Sequence, residues 1–180
     1  MAKGVHFIQI REKDLSDREL FELARRAVTL TAKTKCRILV NGRADVALAA
    51  GAHGVHLPSA GLRIPDLRPW VPRGFLMGVS AHSLRDALRA SAEGADYVLL
   101  GPVFPTESKL RYGPPLGLSY LSRVCSRVPL PVLGLGGISE DRVDEVLATG
   151  AAGVAGITMF QEGAVSPKSK IRRNELTELH

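Results

Sequence analysis

Aromatic residues are scarce in this chain: Phe, Trp and Tyr make up 5% of its 180 residues, with a single tryptophan. Nucleic-acid surfaces interleave stacking aromatics with cations, and no stretch here does so. Cysteine is nearly absent as well. Cys36 and Cys125 stand far apart without metal-ligand spacing, which excludes a zinc module and a disulfide scaffold and fits a reducing compartment. No apolar run approaches the roughly 18 residues of a membrane span. Residues 1–10 carry neither the apolar length nor the small-residue cleavage site of a signal peptide. These absences point to a cytoplasmic protein acting on neither membranes nor nucleic acids. The net charge of +6 does not reverse that. Its basic residues are scattered, the one cluster at 168–173 is followed at once by Glu175 and Glu178, and a small anionic ligand explains the sign equally well.

What the sequence does have is a phrase used three times: Ala50-Gly51-Ala52-His53-Gly54-Val55, Glu93-Gly94-Ala95-Asp96-Tyr97-Val98 and Thr149-Gly150-Ala151-Ala152-Gly153-Val154. Each places a glycine where a helix must stop, then a Val-bearing run suited to a buried parallel strand. Strands are predicted over 5–10, 37–40, 54–57, 75–79, 97–100, 131–134 and 153–157, with helices between them. Ser16 with Glu19 forms a capping box ahead of Leu20, Leu23, Ala24 and Ala27. Ser83 with Asp86, and Ser139 with Glu140 and Asp141, mark two further helix starts. Trp70 is read as packing on or capping a helix. Strict alternation of strand and helix calls for a parallel sheet with right-handed crossovers. The expected fold is α/β, a TIM (β/α)8-type barrel that lacks its first βα unit, because seven strands are found where such a barrel has eight. Residues 1–160 form the single barrel domain; 161–180 form a polar basic tail or a short last helix. A chain shortened at its N-terminus and a genuinely open seam both remain as explanations, and a homo-oligomer remains open.

One loop is enlarged, from Gly101 to Pro115, directly after a strand. Polar groups at strand C-termini share one mouth in this architecture. They are Gln9, Arg11 and Lys13; Asn41; Ser80 and His82; Thr106, Ser108 and Lys109; Gly136 and Gly137; and Thr158. Gln9, Arg11 and Lys13 alternate, so an extended backbone aims all three one way, and two cations there call for an anion. The plain alternative is a strand emerging into a solvated loop. Gly136-Gly137, after a strand and before a helix, lets backbone N–H groups approach a phosphate, with Thr158 as a helper. Most Gly-Gly pairs are merely turns. His82 follows a strand, and an imidazole can both accept and donate a proton, although a histidine beside a cap is more often an ordinary surface residue. His56 stands at a strand end and would line the mouth.

The ordered motifs Gln9-Ile10-Arg11-Glu12-Lys13, Val40-Asn41-Gly42-Arg43, Gly54-Val55-His56-Leu57, Gly78-Val79-Ser80-Ala81-His82, Gly101-Pro102-Val103-Phe104-Pro105-Thr106 with Lys109, and Gly136-Gly137-Ile138 resemble the superfamily of thiamine phosphate synthase and thiazole tautomerase. The resemblance spans about residues 5–160 and implies a small-molecule thiazole phosphate as ligand. Its synthase branch couples an aminopyrimidine methyl diphosphate to the thiazole phosphate and uses two aspartates for Mg²⁺. Those positions here are Gly42 and Gly61, and Asp45 and Asp66 nearby are expected to point outward. With metal ligands missing and Leu57-Pro58-Ser59 resembling the tautomerase branch, the expected activity is tautomerisation of a carboxythiazole phosphate. The resemblance then makes His82 the acid–base group. Gln9, Arg11, Lys13, Asn41, Ser80, Thr106 and Lys109 bind substrate, and Gly136, Gly137 and Thr158 bind phosphate. No metal or cofactor is expected, Mg²⁺ entering only with the synthase alternative; a non-catalytic ligand-binding or regulatory relative is the third reading.

Overall fold

The computed structural model describes residues 5–106 and 114–157. Its strands are β1 (Phe7–Ile10), β2 (Arg37–Asn41), β3 (Gly54–Leu57), β4 (Leu76–Ala81), β5 (Tyr97–Leu100), β6 (Val132–Leu135) and β7 (Gly153–Ala155). All pair in parallel, in chain order from β1 to β7. This is a seven-stranded α/β half-barrel; a closed barrel is not formed by the described residues. Helices α1 (Asp17–Thr31), α2 (Ala44–Ala49), α3 (Ile64–Leu67), α4 (Leu84–Ala92), α5 (Leu118–Cys125) and α6 (Val143–Leu147) fill the crossovers. No helix among the described residues is long and apolar enough to cross a membrane.

Local chemistry explains the boundaries. Ser16 and Glu19 close the reciprocal capping box at α1. At α4, Ser83 accepts from the Asp86 N–H, but the Asp86 carboxylate reaches back to the His82 N–H rather than to Ser83. Gly51, Gly94 and Gly150 all adopt positive φ after their helices, at 68°, 87° and 89°. The Ser139 start differs from expectation: a 3-10 turn, Glu140–Arg142, precedes a short α6. Trp70 is also corrected, because it ends a 3-10 turn and is 79% exposed.

Strand periodicity divides the sheet into two unlike faces. The outer face carries Ile10, Ile38, Val40, Val55, Leu57, Met77, Ala81, Val98, Leu100 and Val132, all buried in two apolar clusters against the helices. The inner face carries Gln9, Asn41, His56, Ser80 and Tyr97, which the register brings onto neighbouring strands. Here Leu99, Leu133 and Leu135 are only half-buried, and Phe7 is exposed at the β1 edge. The apolar core therefore fixes the outside of the sheet, while the inside holds its polar groups.

Candidate active site

The inner-face polar groups begin with Gln9. Its Nε2 is buried and has no hydrogen-bond partner among the described residues. A buried amide donor left unpaired costs about 1–3 kcal/mol, so it marks a place where an acceptor belongs. The expectation for its neighbours needs correction: β1 ends at Ile10 and the chain bends over residues 13–15, so the strand holds only Gln9. Arg11 and Lys13 are exposed on the connection that leaves the strand end.

Behind this rim lies a buried network centred on His56. His56 is not at the mouth; it is 2% exposed within β3. Its Nδ1 lies 3.0 Å from the Tyr97 hydroxyl and its Nε2 lies 2.8 Å from Ser80 Oγ. Ser80 itself is inside β4, which runs two residues further than expected. Burial, helped by the Arg11 charge, pushes the His56 imidazole down to about 4. Burial also pushes the Tyr97 phenol up, so both are uncharged near neutral pH.

This has a stability consequence. Between about pH 6.5 and pH 4 the unfolded chain binds a proton at His56 that the folded chain refuses, so stability falls with pH across that window. The loss is on the order of 3 kcal/mol. His53, lowered by burial and by Arg37, adds in the same direction. The carboxylates held low, Asp17, Asp45 and Asp141, act only below their ordinary range. Thermal unfolding at pH 7 and pH 4.5 should show the loss, and His56→Gln should shrink it. An equal pH dependence in both chains would contradict this assignment.

His82 follows β4 directly. A carbonyl can only accept, so its Nδ1–H donates to the Gly101 carbonyl at 2.6 Å. That bond ties the end of β4 to the loop after β5. The same loop continues the sheet past its strands: Val103 N–H donates to the Leu135 carbonyl at 2.9 Å, and Phe104 N–H donates to that of Gly136 at 3.0 Å. Gly136 and Gly137 both have positive φ, at 97° and 64°. They pass so close to Pro102, Phe104 and Pro105 that side chains are excluded. Thr106 is half-buried at the end of this described stretch, and Asn41 is half-buried at the end of β2. Ser108, Lys109, Thr158 and the expected tail at 161–180 lie outside the described residues.

The residues present do not fit the Mg²⁺ that the synthase resemblance implies. Gly42 and Gly61 offer no oxygen ligand from a side chain. Asp45 is held by Arg43, with contacts of 2.9 and 2.7 Å, and Asp66 is exposed on α3. No group of three or more His, Cys, Asp or Glu side chains among the described residues is placed to hold a metal ion. A cavity of about 300 Å³ does exist, but at the opposite end of the strands, lined by Arg37, His53, Arg73 and Phe75. It contains none of the expected site residues.

A family model described as thiamine monophosphate synthase matches residues 1–160. A relative from Geobacter sulfurreducens is 48% identical over 155 residues, covering 86% of this chain and 73% of the relative. A thiamine-phosphate synthase from Methanoculleus marisnigri is 43% identical over 176 residues, covering 97% of this chain and 83% of that protein. The solved thiamine phosphate pyrophosphorylase from Pyrococcus furiosus superposes with a TM-score of 0.77 at 36% identity, covering 86% of this chain and 73% of that one. These findings overturn the expected tautomerase, an isomerase: the matches are to the synthase, a transferase. The absence of carboxylates at Gly42 and Gly61 does not by itself mark a different chemistry. By sequence across its described fold and by structural likeness, this chain belongs to the thiamine monophosphate synthase family.

Proposed function

We propose that this chain joins an aminopyrimidine methyl diphosphate to a thiazole phosphate on the inner face of its sheet, at the strand C-termini. The reaction breaks the C–O bond between the pyrimidine methylene and the diphosphate, which leaves with the electron pair. The lone pair of the thiazole nitrogen then forms the new C–N bond. That nitrogen carries no proton to remove, so coupling needs no general base, and His82 serves here as the brace between β4 and the β5 loop.

The observation that carries this reading is the orphaned Gln9 Nε2, buried at the head of a Gln-x-Arg-x-Lys stretch that the resemblance assigns to substrate. Arg11 and Lys13 supply positive charge beside it for the departing diphosphate. Gly136 and Gly137 present backbone rather than side chains, as a phosphate cradle requires. Asn41, Thr106 and Lys109 complete the set of substrate contacts, with Thr158 assisting at the phosphate.

One observation favours a second reading, ligand binding without turnover: the absent carboxylates at Gly42 and Gly61. Incubating both purified substrates with the chain and excess Mg²⁺, and assaying thiamine phosphate by fluorescence after oxidation, separates the two. Product above the protein-free control is expected. Binding of both substrates with no product would establish the second reading instead.

A further inference from the structure

We propose that Tyr97 and His56 form a one-way hydrogen-bond chain that fixes Ser80 as a donor toward a phosphoryl oxygen of the ligand, making both of them positioning residues. The inference deepens the synthase reading of this site and uses its ligand class.

The direction follows from counting protons. Tyr97 is 7% exposed, and its hydroxyl has one hydrogen to place. Among the described residues the only acceptor within reach is His56 Nδ1, at 3.0 Å. Were His56 to donate from Nδ1, the buried phenol proton would have no acceptor, and an unmade buried hydrogen bond is costly. Tyr97 therefore donates, and Nδ1 accepts. A neutral imidazole with Nδ1 occupied must carry its hydrogen on Nε2, which donates to Ser80 Oγ at 2.8 Å. Ser80 is left with its own hydrogen and no acceptor for it among the described residues. Half-buried on the inner face, it has that hydrogen to offer to a ligand at the site.

The fold makes room for this arrangement at one position. The register sets Gly78 between His56 and Tyr97 on adjacent strands. A Cβ on Gly78 would stand inside the Tyr97 ring. The ring thus crosses over a bare strand to reach His56, with Phe7 stacked on it at 5.8 Å. A histidine, a tyrosine and a glycine on three consecutive strands form one device.

Two measurements test it. Nitrogen-15 NMR of the native chain should show His56 as the Nε2–H tautomer, which requires neither turnover nor any variant. Titration with inorganic diphosphate should then show affinity falling five- to tenfold in Ser80→Ala. Tyr97→Phe, which keeps the ring and loses only the hydroxyl, should fall by a similar factor, and the double variant should be no weaker than Ser80→Ala. A purely structural role for Tyr97 would instead add to the Ser80 effect. An Nδ1–H tautomer, additive losses, or a native chain that does not bind diphosphate would overturn the proposal. Absence of thiamine phosphate production alongside the expected tautomer and non-additivity would refute the synthase reading and leave the chain Tyr97–His56–Ser80 standing.

Discussion

Gly137→Val should destabilise the chain by at least about 3 kcal/mol and remove substrate binding together with folding of the mouth. The backbone there has φ of +64°, which a β-branched residue adopts only at a cost of about 1–3 kcal/mol. A Cβ would also lie 2.5 Å from the Pro105 carbonyl oxygen and 2.8 Å from Phe104 Cβ. Neither neighbour can retreat cheaply, because Phe104 N–H is bonded to the Gly136 carbonyl and Val103, 1% exposed, anchors the same loop. Thermal unfolding and thiazole-phosphate calorimetry check this together. Weakened binding in a chain of unchanged stability would mean that the glycine serves the ligand alone.

Arg11→Ala is expected to act in the opposite manner, on activity and not on stability. Its side chain is exposed, so folding should change by less than about 0.5 kcal/mol. A charge-assisted contact to the diphosphate is worth about 1.5–3 kcal/mol, so kcat/KM should fall by about ten- to a hundredfold. The same guanidinium lowers the His56 pKa. The variant should therefore raise that pKa as seen by NMR titration, an effect independent of turnover. Unaltered kcat/KM would remove Arg11 from the site.

Much of the architecture was legible because its signals are local. Each strand was found from its apolar run, and Gly51, Gly94 and Gly150 announced their helix ends through a conformation that favours glycine. Ser16 and Glu19 sit three residues apart, so their reciprocal bonds could be read directly. What sequence reading missed depends on strands meeting across the sheet. His56 and Tyr97 lie 41 residues apart in the chain, and only the register places them on either side of Gly78. A Gly within a run of strand residues was the one available signal, since it often marks a close approach of another group. Arg11 and Lys13 were expected to share the direction of Gln9, but a period of two holds only while the strand lasts, and it ends at Ile10.

Phosphorylated ligands are expected on the inner face at the strand C-termini, and not in the cavity at the other end. Titration of thiazole phosphate into nitrogen-15-labelled protein locates them. Saturable shifts are predicted at the amides of Gln9, Ile10 and Arg11, of Asn41, of Ser80 to His82, and of Gly136 and Gly137. Shifts confined to Arg37, His53, Arg73 and Phe75 would instead place the ligand at the opposite end of the sheet, against the inner-face site.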